Sequence, residues 1–161
     1  MEEILKSAAD RCESYRLQGY HCSEASLRAC ADVLNIQLRE EVLRVASGFQ
    51  GGGGGYRDRC GVVEAGIMLI SYIYGRTDPK VDVSDYSYLI RILHDRFNSQ
   101  LGSYYCRILR PFARYLSAPE PNCARTYKEG ARVLMQLLLD APQLIKEMPD
   151  SERYEQRKSL S

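Results

Sequence analysis

The sequence has no tryptophan, only two histidines, and no uninterrupted apolar run long enough to cross a membrane. A membrane-spanning helix needs about 20 consecutive apolar residues, so we expect no transmembrane span. The formal net charge is +1, which argues against binding nucleic acid through bulk electrostatics. Runs that alternate between apolar and polar residues, the signature of β-strands, are also missing. These absences favour a helical protein without a nucleic-acid or membrane function.

Several motifs with known chemistry are missing too. There is no Cys-x-x-Cys, the spacing of zinc knuckles and thioredoxin sites, and no Cys-x-x-Cys-His, so covalent haem attachment is not supported. The glycine run lacks a Gly-Lys-Ser/Thr ending and follows a predicted helix, unlike a phosphate-binding loop. Residues 1–6 lack the basic and apolar segments of a signal peptide. We therefore expect a cytoplasmic protein, in which disulfides are normally reduced.

Apolar residues recur at helical spacing along most of the 161 residues, of which 45% are hydrophobic. Ser23 and Ser84 are predicted N-caps, and Asp140-Ala141-Pro142 is predicted to end the last long helix, which Asn122 begins. The predicted helices cover about 2–18, 23–35, 39–47, 61–74, 84–98, a short turn at 106–109, and 123–139. This pattern predicts an all-α, compact bundle of six to eight helices. We expect residues 1–148 to form a single domain and residues 149–161 to form a polar, frayed tail.

Five consecutive glycines, Gly51–Gly55, lie ahead of Cys60 and an apolar segment. A glycine inside a helix costs about 1 kcal/mol relative to alanine, so the run predicts a loop. The segment from Val62 to Ile73 is apolar around most of its circumference, which predicts a buried central helix or, alternatively, a homodimer that covers it. Cys60 would then lie at a helix N-terminus, where the helix dipole, Arg57 and Arg59 favour its thiolate.

Six cysteines are a high count for a cytoplasmic protein. Four of them fall at or just before predicted helix starts: Cys22, Cys60, Cys106 and Cys123. Helix starts cluster at the ends of a bundle, so these four can converge with lowered pKa values and hold an iron–sulfur cluster or zinc. The alternative is that each is a small buried apolar residue. That second interpretation is the prediction for Cys12 and Cys30, which fall mid-helix on apolar faces.

Two other polar residues near these cysteines have structural explanations. His21 adjoins Cys22 and can ligate a metal or polarise the thiol, but a loop histidine is the simpler interpretation. Glu64 lies one turn into the apolar helix after Cys60. A buried carboxylate needs a partner, so we predict that Glu64 pairs with an arginine.

The four cysteines and the glycine loop together resemble the C-GCAxxG-C-C family of redox-active proteins. The resemblance covers roughly Gly19 to Leu138. Its pieces are Gly19-Tyr20-His21-Cys22-Ser23-Glu24-Ala25, Ala46-Ser47-Gly48-Phe49-Gln50-Gly51-Gly52, Cys60-Gly61, Gly102-Ser103-Tyr104-Tyr105-Cys106-Arg107 and Cys123. The resemblance implies an all-helical domain in which the four cysteines carry a redox function. The family is also similar to part of the split-Soret cytochromes c, which associate haem with an iron–sulfur centre.

This sequence departs from the family pattern at one place. The family motif is Cys-Gly-Ala-x-x-Gly. Here Val62 stands at the position of the alanine and Ala65 at that of the second glycine, and the glycine is displaced to Gly66. The larger side chains predict crowding at a close helix contact and make the chain a divergent member.

Two redox mechanisms fit the resemblance. In the first, the four cysteines bind an iron–sulfur cluster, and backbone amides at Gly51, Gly52, Gly53 and Gly61 donate hydrogen bonds to sulfur. In the second, the cysteines form thiol–disulfide pairs, with Cys60 as the nucleophile. Either mechanism requires a redox partner protein, which the sequence does not identify.

Functions of other classes stay open at this point. One is a structural zinc domain or a metal-free helical interaction module. Another is a small-ligand module with a pocket walled by Tyr72, Tyr74 or Tyr88.

Overall fold

The computed structural model describes residues 1–110 and 123–153, and within these ranges the regular elements are helices. The α-helices are α1 (Glu2–Leu17), α2 (Cys22–Val33), α3 (Glu40–Ala46), α4 (Gly61–Tyr74), α5 (Ser84–Leu101), α6 (Cys106–Leu109) and α7 (Ala124–Lys146). Short 3₁₀ turns follow at Ser47–Phe49 and Asp150–Glu152. The predicted all-α bundle is confirmed. No helix in the described ranges is both long and apolar enough to cross a membrane.

Helix α4 is the centre of the bundle and packs against α2, α5 and α7. Its side chains from Val62 to Ile70 include five that are fully or almost fully buried: Val62, Val63, Ala65, Leu69 and Ile70. The last turn of α4 is partly exposed to solvent: Tyr72 is 43% exposed and Ile73 is 38% exposed. The predicted burial of this helix is therefore correct for three of its four turns and wrong for the last one.

Two glycines set how closely the helices approach α4. A Cβ on Gly66 would stand 2.6 Å from a Leu93 methyl carbon of α5. A Cβ on Gly130, in α7, would stand 2.6 Å from Cγ1 of Val62 and 2.8 Å from the Phe97 ring. Gly130 therefore leaves the space that Val62 fills, so the larger residue after Cys60-Gly61 does not force the helices apart.

Helices α1, α2 and α7 form the second part of the core. Cys12 and Cys30 are fully buried there, as predicted. The Cys12 sulfur lies 3.5 Å from the Ser26 hydroxyl, and the Cys30 thiol lies 3.8 Å from the Ala131 carbonyl oxygen. Burial raises the pKa of Cys12 to about 12. These two thiols act as apolar core groups.

Several predicted helix boundaries are wrong. Helix α2 begins at Cys22 rather than after it, with His21 as its N-cap residue. Glu24 accepts a hydrogen bond from the His21 N–H at 3.0 Å. Ser23, the predicted N-cap, does not cap the helix, because its hydroxyl donates to the Ala46 carbonyl. Helix α5 has Val83 as its N-cap residue, and its first N–H, at Ser84, donates to Asp82.

The last long helix also differs from the prediction. Helix α7 continues through Pro142 to Lys146, whereas the sequence predicts an end at Pro142. Proline removes only one helical hydrogen bond and Ala141 beside it is fully buried, so packing of this turn outweighs the local preference. The predicted cap Asn122 lies outside the described residues, as does the tail from 154 onward. Glu152, within the described part of that tail, pairs with Arg91 at 2.6 Å.

Candidate functional site

The four cysteines predicted to gather do line one cavity. Cys22 is the first residue of α2, Cys60 precedes α4, Cys106 is the first residue of α6, and Cys123 precedes α7. The cavity they share has a volume of about 290 Å3. All six cysteines of the chain are free thiols. The starts of α2, α4, α6 and α7 therefore lie around one cavity, and helix N-termini carry partial positive charge.

The glycine run reaches this cavity at its first residue, Gly51, next to Gln50. Residues Gly51–Gly55 all have positive φ angles, between 57° and 85°, a conformation that costs other L-residues about 1–2 kcal/mol each. The run folds back on itself through hydrogen bonds from Gly54 N–H to the Gly48 carbonyl at 2.9 Å and from Arg57 N–H to the Gly51 carbonyl at 2.9 Å. Glycine is required here because the chain turns left-handed for five consecutive residues.

The glycines predicted to contact a cofactor occupy different positions. Gly51 and Gly61 line the cavity. Gly52 is buried away from it, since a Cβ there would stand 2.5 Å from the Asp58 nitrogen. Gly53 is exposed, with open space where its Cβ would be. The structure therefore brings two of the four predicted glycines to the cysteines.

Main-chain N–H groups are directed at two of the sulfur atoms. Burial raises the pKa of the Cys22 thiol, while the N–H groups of Gly51, Ser23 and Gly61 oppose that rise. Burial also raises the pKa of the Cys60 thiol, and the negative charge of Cys22 adds to the effect. The lowered pKa values predicted for Cys22, Cys60 and Cys106 are therefore wrong for the metal-free protein, because desolvation outweighs the helix N-termini.

The arginines near Cys60 are arranged differently from the prediction. Arg59 forms an ion pair with Glu64 at 3.5 Å, which confirms the arginine partner predicted for that carboxylate. Arg57 instead donates a hydrogen bond to the Arg110 carbonyl and lies near Cys106. Burial raises the pKa of Cys106, and the positive charges of Arg110 and Arg57 oppose it. Arginine charge therefore favours the thiolate of Cys106 rather than that of Cys60.

Several residues of the cavity wall were not predicted as site residues from the sequence: Arg16, Tyr20, Leu109, Arg110, Thr126 and Tyr127. Tyr127 is the most informative of them, because burial and the charges of Cys22 and Cys123 raise the pKa of its phenol. Its position four residues after Cys123 places both on the same side of α7, a signal that the sequence contains. His21 also lines the cavity, next to Cys22.

The site does not include the predicted tyrosine-walled pocket. Tyr72, Tyr74 and Tyr88 are all absent from the wall of the cysteine cavity. Tyr72 is exposed at the far end of α4, where its hydroxyl donates to the Gln37 carbonyl at 3.4 Å. Among residues 1–110 and 123–153, no three His, Cys, Asp or Glu side chains come close enough together to hold a single metal ion in common.

Comparison with known proteins gives one match. The model of a family described as putative redox-active protein (C_GCAxxG_C_C) matches residues 20–137, which span the glycine loop and all four cavity cysteines. No curated protein and no solved structure matches the chain.

Proposed function

The chain belongs to the putative redox-active protein family C_GCAxxG_C_C, and from that premise we propose that its four cavity cysteines bind an iron–sulfur cluster for electron transfer. The observation that carries this proposal is the meeting of Cys22, Cys60, Cys106 and Cys123 in one cavity at four helix N-termini. Cysteine thiolates are the usual ligands of such clusters, four to a cluster. When bound, the cluster supplies one-electron chemistry.

The donor set of the cavity is compatible with a cluster if the bound iron supplies the positive charge that the buried thiolates need. Burial raises the pKa of the thiols of Cys22, Cys60 and Cys106, so each thiolate is costly unless positive charge accompanies it. Iron supplies that charge directly. A cluster also distributes its cysteine ligands over several iron atoms, so it does not need three thiols around one point.

The chain's own groups would adjust the electronic properties of such a centre. The N–H groups of Gly51, Ser23 and Gly61 are directed at the Cys22 sulfur, and hydrogen bonds to sulfur are one determinant of reduction potential. Arg16 and Arg110 line the same cavity and offset negative charge. Gly51 and Gly61 would therefore act through their backbone N–H groups, and a side chain at Gly61 would displace the Cys22 sulfur.

A second candidate, thiol–disulfide exchange, is favoured by one specific observation. Cys22, Cys60 and Cys106 line the same cavity, and a charge on Cys22 raises the pKa values of both other thiols. Two such thiols would lose two electrons and two protons as one S–S bond forms, and the disulfide of a partner protein would be reduced to two thiols. Either mechanism would operate with a redox partner, and we propose the cytoplasm, where thiols are kept reduced, as its location.

Anaerobic purification separates these candidates. The protein is isolated, or reconstituted with iron and sulfide, and its iron, sulfide, zinc and visible absorption are measured before and after reduction. We expect iron and sulfide together with a visible band that bleaches on reduction. Substitution of any one of the four cysteines by serine should remove or weaken that band.

Cys12→Ser is the matched control, because it makes the same chemical change at a buried thiol outside the cavity. It should retain the iron. A colourless protein whose free-thiol count falls on oxidation would favour thiol–disulfide exchange instead. Stoichiometric zinc, or a metal-free protein with a constant thiol count, would refute both redox mechanisms.

A further inference from the structure

The wall of the cysteine cavity includes a buried tyrosine, Tyr127 of α7, which is only 8% exposed. Its main-chain N–H donates to the Cys123 carbonyl at 2.9 Å, one helical turn earlier. Residues four apart share a face of a helix, and aromatic side chains in helices point back over the preceding turn. The ring of Tyr127 is therefore directed toward the start of α7, where Cys123 and the cavity lie.

The Tyr127 hydroxyl forms no hydrogen bond within the part of the chain that the structure describes. By contrast, the hydroxyl of the half-buried Tyr15 donates to the Asp32 carboxylate at 2.6 Å. In the same described part, the fully enclosed side-chain N and O atoms that lack a partner all belong to arginines. The Tyr127 hydroxyl is therefore not sealed within the packing but retains access to open space, which the adjoining cavity provides.

The surroundings of the phenol keep it protonated. Burial raises the pKa of the Tyr127 phenol above its ordinary value, and the charges of Cys22 and Cys123 raise it further. A protonated phenol is a hydrogen-bond donor. An unpaired buried hydroxyl costs free energy, so native proteins seldom retain one without a partner. The missing acceptor is supplied if a group with negatively charged sulfur fills the cavity.

We propose that the Tyr127 hydroxyl donates a hydrogen bond to a sulfur atom of the redox centre and thereby raises the reduction potential of that centre. The proposal rests on the iron–sulfur function proposed above. Hydrogen bonds to sulfur are one determinant of the potentials of such centres. Reduction adds negative charge, and a hydrogen bond to a charged acceptor is stronger, so the donor favours the reduced state.

The reaction that Tyr127 influences is the gain of one electron at the cysteine-bound centre. The electron comes from a one-electron donor protein, which is oxidised. The phenol proton stays on its oxygen, and no bond between heavy atoms forms or breaks. A tyrosinate ligand to iron is disfavoured, because the raised pKa keeps Tyr127 protonated and four cysteines already supply the usual ligand set.

Tyr127→Phe tests the proposal, because it removes only the hydroxyl. The first measurement is urea unfolding of the metal-free protein. Since the hydroxyl is unpaired there, the variant should be at least as stable as the native protein. Tyr88→Phe, at a half-buried position of α5 outside the cavity, is the matched control. A clear loss of stability in metal-free Tyr127→Phe alone would show that the hydroxyl has a structural partner, and would overturn the proposal.

The second measurement is an anaerobic redox titration of the proteins reconstituted with iron and sulfide. We expect the equilibrium constant for reduction to be about tenfold smaller in Tyr127→Phe than in the native protein, a shift of about 59 mV for one electron, with equal iron and sulfide contents. Tyr88→Phe should match the native protein. Incorporation of 3-fluorotyrosine, whose phenol is a stronger donor, should raise the potential of the native protein but not that of Tyr127→Phe.

An unchanged potential in Tyr127→Phe at full iron content would overturn the role of the hydroxyl while leaving the iron–sulfur function intact. So would a folded Tyr127→Phe protein that takes up no iron, because the hydroxyl would then serve assembly of the centre rather than its potential. A native protein that takes up no iron and sulfide would instead refute the iron–sulfur function, and with it the role of Tyr127.

Discussion

The sulfur of Cys22 occupies the space that a Cβ on Gly61 would need, so the first residue of α4 must be glycine for α2 to begin where it does. The Phe49 carbonyl oxygen and the Ser23 nitrogen are also close, at 3.0 and 3.1 Å from the same point. Three segments that are distant in sequence therefore meet at one backbone position, and all three contact the cysteine cavity.

Gly61→Ala should disrupt this contact. We expect a loss of about 1–3 kcal/mol of unfolding free energy from overpacking, together with weaker iron binding, because the Cys22 sulfur must move. Urea unfolding and iron content measure the two effects. The matched control is Gly48→Ala, which has open space at its Cβ and should change neither quantity. Equal behaviour of the two variants would contradict the contact.

Gly130→Ala should destabilise the bundle through Val62. A Cβ at Gly130 meets Cγ1 of Val62 and the Phe97 ring, so we expect a loss of about 1–3 kcal/mol in unfolding free energy. The double variant with Val62→Ala should lose less than the sum of the two single variants, because Val62→Ala removes one of the two clashes. Thermal or urea unfolding of the four proteins completes the cycle, and additive losses would show that Val62 and Gly130 are independent.

Thiol labelling should distinguish the cavity from the core. In the metal-free protein, Cys123 is half-buried, whereas Cys12 and Cys30 are fully buried and burial raises the pKa of each. We expect a pulse of iodoacetamide to label Cys123 well before Cys12 and Cys30, which should react only on unfolding. Peptide mass spectrometry reports the order. Fast labelling of Cys30 in the folded protein would show that the α1–α2–α7 core is open.

Glu64→Gln should change stability in a pH-dependent way. Burial raises the pKa of the Glu64 carboxyl above its ordinary value of 4.5, and the charge of Arg59 only partly opposes this. The folded state therefore favours the protonated form, so the contribution of this group is complete below the unfolded pKa and is lost as pH rises through the folded pKa.

Glutamine remains neutral at every pH, so Glu64→Gln should be more stable than the native protein at pH 7 and equal to it at about pH 4. Urea unfolding at both values measures the difference. Glu3→Gln, at the exposed start of α1, serves as the control and should show no such trend. A Glu64→Gln variant less stable than the native protein at pH 7 would show that the ion pair with Arg59 outweighs desolvation.

Local sequence signals predicted most of the helices, because where a helix forms depends largely on residues that are neighbours in the sequence. The apolar spacing and the flanking glycine gave the bounds of α4 at Gly61 and Tyr74 correctly. Local signals failed where a distant contact decides the outcome. Pro142 suggests a helix end, yet α7 continues past it, and Ser23 suggests an N-cap, yet its hydroxyl donates to the Ala46 carbonyl.

The features of the candidate site likewise fall into those that short segments of sequence specify and those that helix packing specifies. The sequence by itself determined that four cysteines stand at helix starts and that five glycines turn the chain ahead of one of them, since capping and φ preferences are properties of short segments. Only the tertiary structure decided that those starts share one cavity, that Arg57 lies near Cys106 rather than Cys60, and that Gly130 makes room for Val62. Each of these depends on how whole helices pack, which no local pattern specifies.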